Sequence, residues 1–140
     1  MKPLLLLGDE AIAQAALDAG LSGVYAYPGT PSTEITEYIQ HSPYSKQENI
    51  HCRWATNEKT AMDTAMGMSF AGKRSLVCMK HVGVNVAADP LMNSSISVII
   101  NKMKTIMIWI LTGNNELIWW KITIVLRKCN EWEMDINYHI

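Results

Sequence analysis

Four side chains in this sequence are placed where they could do chemistry: Glu58 at the head of a helical stretch, Thr30 behind a Pro-Gly turn, and Lys80 with His81 at the end of an apolar run. A glutamate in a helix's first turn ordinarily just interacts with the positive end of the macrodipole. Partly buried beside a ligand, the same carboxyl group could hold or exchange a proton. The residues alone leave both roles open. Thr30 either caps a helix or offers its hydroxyl to a ligand, and Lys80 and His81 are most simply a solvated strand end.

Other chemistries find no support. The sequence contains neither GxGxxG nor GxxxxGK[ST], so neither dinucleotide nor P-loop phosphate binding is expected. His41, His51, His81 and His139 have no metal-like spacing among themselves or with the cysteines, and no metal site is expected. Cys52, Cys78 and Cys129 are odd in number and form no CxxC pair, which argues against a disulfide framework and points to a reducing, cytoplasmic setting.

The elements that must position these side chains alternate. Asp9 can cap a helix over residues 9–19, with Ile12, Ala13, Ala16 and Leu17 at helical spacing and Gly20 at the C-terminal cap. Val24 to Tyr27 reads as a strand that stops at Pro28-Gly29. Thr30-Pro31 then supplies an N-cap and a first-turn proline for a second helix with Ile35, Tyr38 and Ile39 inward. A polar loop from His41 to Asn49 leads to a strand over residues 50–55. Thr56 or Asn57 caps a third helix ending at Gly72, whose Ala61, Met62, Ala65, Met66 and Gly67 permit close approach of another backbone. Ser75 to Lys80 is a buried strand. Val82 to Leu91 is a fourth helix, entered through Gly83 and disturbed by Pro90. Repeated strand-then-helix units imply an α/β fold with a mostly parallel sheet covered on both faces, a three-layer sandwich. Ligands of such sheets gather at the carboxyl ends of the strands, and Thr30, Glu58, Lys80 and His81 all fall there.

With 140 residues, 49% hydrophobic, the chain suits one globular domain, and a net charge of −1 gives no electrostatic pull toward nucleic acid or an anionic membrane. The apolar stretches are too short or interrupted to span a bilayer. Composition changes near residue 95. Residues 1–95 hold all twelve alanines and all five prolines, whereas residues 96–140 hold eleven of fifteen isoleucines and four of five tryptophans. The tail is expected to be either the product of a shifted reading frame or a genuine β-rich terminus, with residues 105–111 and 117–126 as two strands joined by a Gly-Asn-Asn turn.

Four stretches are specific as words: Gly8-Asp9-Glu10-Ala11-Ile12-Ala13, Tyr27-Pro28-Gly29-Thr30-Pro31-Ser32, Asn57-Glu58-Lys59, and the run from Met79-Lys80-His81-Val82-Gly83 to Met92. In order and spacing they resemble the amino-terminal part of the indolepyruvate ferredoxin oxidoreductase alpha subunit, over about residues 4–95. The resemblance implies a thiamine-diphosphate-binding fold, of which residues 1–95 are a partial pyrimidine-binding domain and residues 96–140 an atypical tail. It makes Glu58 the catalytic glutamate that hydrogen-bonds the cofactor's N1′, with Gly29 also cofactor-binding. Thr30, Lys80 and His81 become substrate-binding. Gly29, where related sequences carry a larger residue, leaves room for an aryl side chain.

The parent activity so implied is oxidative decarboxylation of aryl 2-oxo acids to acyl-CoA with ferredoxin as acceptor. It involves thiamine diphosphate with Mg2+, iron–sulfur clusters, coenzyme A, a beta subunit and an oligomeric assembly. The family's Gly-Asp-Gly diphosphate motif and iron–sulfur cysteine clusters are absent from these 140 residues, so the chain alone is expected to be inactive. Two other readings compete: a non-catalytic subunit-interaction module, and a thiamine-dependent 2-oxo acid decarboxylase subunit.

Overall fold

A computed structural model of the chain describes the backbone of residues 5–101, 106–111 and 120–123, with side chains up to residue 94. In chain order the elements are α1 (Gly8–Asp18), β1 (Gly23–Ala26), α2 (Thr33–His41), α3 (Pro43–Gln47), β2 (His51–Trp54) and α4 (Glu58–Phe70). There follow β3 (Ser75–Lys80), α5 (Gly83–Val86), α6 (Ala88–Asn101), β4 (Ile106–Leu111) and β5 (Trp120–Thr123). The strands form one sheet in the order β2-β1-β3-β4-β5, parallel throughout except for the antiparallel β4–β5 pair.

Alternation along β1 and β3 builds the three layers, because successive strand residues point to opposite faces. Val24, Ala26, Leu76 and Cys78 face α1 and α2, packing with Ala13, Leu17, Ile35 and Ile39. Tyr25, Val77 and Met79 face the other way, onto Ala61, Met62, Ala65 and Met66 of α4 and onto Ala87. Every residue of β1 is buried, whereas β2 at the sheet's edge is largely exposed. Burial pushes the Cys78 thiol up to about 12, so it is an inert core residue.

Several expected boundaries move, each for a local reason. The first helix is capped at Leu7, whose N–H donates to Glu10 Oε2 at 2.9 Å, rather than at Asp9. Ala19 is its C-cap, and Gly20, at φ +77°, reverses the chain while Leu21 N–H donates back to Ala16 O. Thr30 does not cap α2. The backbone N–H and hydroxyl of Ser32 both donate to Gly29 O at 3.0 Å, and Gly29 N–H donates to Thr33 Oγ1. Tyr27 to Ser32 thereby closes on itself and the helix starts at Thr33. Tyr38 is half-buried and donates its hydroxyl to Gln14 Oε1, while Thr36 is the residue buried between Ile35 and Ile39.

The expected loop from His41 to Asn49 contains α3, started by Pro43 in its first turn. The fourth helix is two helices. The break falls at Ala87, and Pro90 is buried in the first turn of α6, where no intrahelical N–H is required. Strands β4 and β5 lie within the two expected tail strands. The Gly-Asn-Asn turn between them, along with His139 and Cys129, lies outside the described residues.

Gly67 is not the close-approach residue its neighbours suggest. It lies on the exposed side of α4, and a Cβ there would meet nothing within 4 Å. Gly67→Ala is expected to stabilise the chain by about 0.5–1 kcal/mol, because alanine removes glycine's entropic penalty from a helix interior. Urea unfolding of the two chains, compared at equal m-value, checks this.

Candidate functional site

The carboxyl ends of β1, β2 and β3 form one rim. The ends of β1 and β2 are tied by the Ala55 N–H donating to Ala26 O at 2.8 Å, and β1 and β3 are in register from Gly23↔Ser75 to Ala26↔Cys78. Each strand then feeds one candidate segment into the rim: Tyr27 to Ser32 after β1, Asn57 and Glu58 after β2, and Lys80 to Gly83 at the end of β3.

Asn57 is the N-cap of α4, with Oδ1 accepting from the Thr60 N–H at 2.8 Å. That cap fixes Glu58 as the first helical residue, half-buried at the rim. The Glu58 side chain lies against Gly83. A Cβ added to Gly83 would collide with the carboxylate, standing 2.7 Å from Cγ and 2.8 Å from Cδ. Gly83 itself is buried. Among the described residues no hydrogen bond or ion pair engages the Glu58 carboxylate. A half-buried carboxylate without a protein partner can accept a hydrogen bond from an incoming donor as well as from water.

Gly29 and Lys80 make the second juxtaposition, three residues before Gly83 on the same segment. A Cβ on Gly29 would stand in ordinary contact, 3.7 Å from Lys80 Cβ, so the position has room for a side chain that glycine leaves empty. Lys80 is half-buried and makes no ion pair among the described residues. Thr30 is exposed in the turn, joined to Pro31 by a cis peptide bond. His81 is exposed, with its carbonyl accepting from the Val84 N–H. No hydrogen bond links Thr30 or His81 to Glu58 among the described residues.

Sequence reasoning placed Gly83 at a helix entry but did not foresee its packing with Glu58. It also missed the ion pair between Lys59 and Asp89, which clasps the first turn of α4 to the first turn of α6 beside the rim. The signal available was Asp89 within the same long motif as Gly83.

Two concavities of about 450 and 470 Å³ lie away from the rim. The first sits between α1 and α2, over Leu7 and Tyr38, with Asp9, Glu10, Glu34 and Glu37 around it; burial and the nearby Glu34 push the Asp9 carboxyl above its ordinary range. The second lies among Ser22, Tyr44, Asn49 and Lys73 near the strands' amino ends. Neither contains a residue of the rim, where Glu58 lies against Gly83 and Gly29 against Lys80. No group of three or more metal-ligating side chains occurs among the described residues. No helix among them is long and apolar enough to cross a membrane.

Residues 14–94 match the family described as pyruvate flavodoxin/ferredoxin oxidoreductase, thiamine diP-bdg. The chain is 48% identical over 90 residues to the indolepyruvate oxidoreductase subunit IorA of Archaeoglobus fulgidus, 63% of this chain and 14% of that protein. It is 44% identical over 91 residues to IorA of Thermococcus kodakarensis, again 14% of that protein, with 65% of this chain covered. In three dimensions it is similar to 2-oxoglutarate:ferredoxin oxidoreductase from Magnetococcus marinus, a structure with 2-oxoglutarate, coenzyme A and succinyl-CoA bound. The TM-score is 0.66 at 20% identity, over 81% of this chain and 18% of that one, a likeness of fold. The chain therefore spans about one seventh of the length of the curated relatives it matches.

Proposed function

Because the chain belongs to the pyruvate flavodoxin/ferredoxin oxidoreductase thiamine diphosphate-binding family, we propose that it is the pyrimidine-binding portion of an arylpyruvate ferredoxin oxidoreductase alpha subunit. The observation that carries this is Glu58: a half-buried carboxylate at the strand rim, set by the Asn57 cap and held against Gly83, with no hydrogen-bond or ion-pair partner among the described residues.

When bound, thiamine diphosphate supplies a nucleophilic carbon and an electron sink for decarboxylating a 2-oxo acid. This chain's residues serve one edge of it. Glu58 holds a proton between its carboxyl oxygen and the aminopyrimidine N1′, which sets the ring's tautomer. Gly29 lets the cofactor and an aryl group approach the end of β1. Lys80 offers a positive charge to the substrate carboxylate from the end of β3, while Thr30 and His81 offer a hydroxyl and an imidazole from the exposed lips of the rim. Mg2+, the diphosphate, the iron–sulfur clusters and the coenzyme A site belong to the longer protein, as do contacts with ferredoxin and a beta subunit. The assembly works as a cytoplasmic oligomer.

A cleft closed from two sides works only when both sides are present, so the 140-residue chain alone is expected to be silent. A chimera carrying residues 14–94 in place of the matching segment of a full-length relative is expected to reduce a viologen dye with indolepyruvate. Dye reduction by the isolated chain would overturn the first expectation. A folded, cofactor-loaded chimera with no turnover would overturn the assignment.

A further inference from the structure

The contact between Glu58 and Gly83 joins residues 25 positions apart, and it is tight enough that no side chain other than hydrogen fits at residue 83 while the carboxylate stays where it is. Backbone geometry is not the reason for glycine there. Among the described residues Gly20 and Gly72 are the glycines with positive φ; Gly83 is not among them, so alanine could adopt its backbone conformation without strain. Gly83 opens the short helix α5, and its carbonyl accepts from the Ala87 N–H at 3.0 Å, so it sits in a segment where alanine would ordinarily be preferred. The neighbouring Val82 and Val86 are exposed and constrain nothing at this point. The Glu58 side chain is thus the neighbour that demands a missing Cβ.

We propose that Gly83 is a positioning residue for Glu58: its bare Cα forms the wall against which the carboxylate rests, setting the direction in which Glu58 presents its oxygens at the rim. The functional part of this proposal rests on the reading of Glu58 as the aminopyrimidine's partner. The steric part stands without it. The wall is anchored from both sides. Lys80 leads into it from the central strand, and beyond it the Lys59–Asp89 ion pair fastens α6 to the turn of α4 that carries Glu58. A methyl group at residue 83 would swing the carboxylate away from the wall while leaving the Asn57 cap and the strand ends intact.

The test is a double-variant cycle on the whole 140-residue chain, read by thermal unfolding. Gly83→Ala is expected to lower the melting temperature by no more than about 2 °C, because the atoms it meets are the outer end of a flexible, half-exposed side chain that can move aside at small cost. In the Glu58→Ala background the same change is expected to become neutral or stabilising, since the collision is gone and alanine's helix preference remains. A loss of the same size in both backgrounds would show that Gly83 serves the backbone, and would overturn the contact. If Gly83→Ala alone fails to fold, recovery in the double variant still reports the coupling.

The functional arm uses the chimera at saturating thiamine diphosphate, following deuterium exchange at the thiazolium C2. Gly83→Ala is expected to slow exchange at least tenfold with cofactor affinity within about threefold, an effect on proton handling. Unchanged exchange alongside intact coupling would overturn the positioning role. If Glu58→Gln also leaves exchange unchanged, the thiamine reading itself fails while the steric contact survives.

Discussion

Glu58→Gln in the chimera is expected to lower kcat for indolepyruvate oxidation about 100-fold or more at saturating thiamine diphosphate, with a much smaller change in KM. Glutamine keeps the size and most of the shape of the side chain, so the contact with Gly83 and the helix start at Asn57 are preserved. What it removes is the capacity to share a proton with a ring nitrogen. Positioned acid–base groups contribute roughly 10²- to 10⁴-fold, which makes a 100-fold loss the lower end of the expectation. The kcat and KM split separates this from a binding defect, because an interaction needed only during proton movement lowers kcat. A variant within threefold of the parent would refute the role given to Glu58. Circular dichroism of the same preparation guards against reading a folding defect as a chemical one.

Leu76→Ala is expected to cost about 3 kcal/mol of folding stability. Leu76 is fully buried on β3, the central strand, in the same core cluster as Ala13, Ile35 and Ile39. Truncating it removes three carbons, a methine and two methyls, from a site walled by helix on one side and sheet on the other, which has little freedom to collapse; leucine-to-alanine changes in such settings span roughly 2–5 kcal/mol. Leu76→Met, which conserves volume, is expected to cost less than about 1.5 kcal/mol. Chemical denaturation by urea reads both. Equal losses for the two substitutions would mean that volume is not what Leu76 contributes.

The layered α/β architecture was legible because it depends on local pattern. Short apolar runs bounded by turn residues, such as Ser75 to Lys80, read as strands buried on both faces, and each is followed by a helical stretch. The start of α4, left open between Thr56 and Asn57 and settled at Asn57, the position of Glu58 and the reversals at Gly20 and Gly72 were legible for the same reason. Errors fell where polar side chains compete for backbone groups. Ser32, bonded to the Gly29 carbonyl, takes the cap position that was expected of Thr30, and α3 has no apolar periodicity to announce it. The packing of Glu58 on Gly83 was not legible at all. Two residues 25 positions apart meet only once β3 is laid beside β1 and the chain turns back over α4, a tertiary fact with no local signature. The family words found the acid; the fold was needed to find the surface it leans on.

The six-position ladder between β3 and β4, from Ser75↔Ile106 to Lys80↔Leu111, begins before residue 95 and is completed by residues after it. A chain shortened at Ser95 would strip the partner from the innermost strand and leave one side of its peptide groups bare. Such an open margin is a template for other chains. Shortening the protein to its family-like portion would therefore convert the strand that organises its interior into a nucleus for fibres.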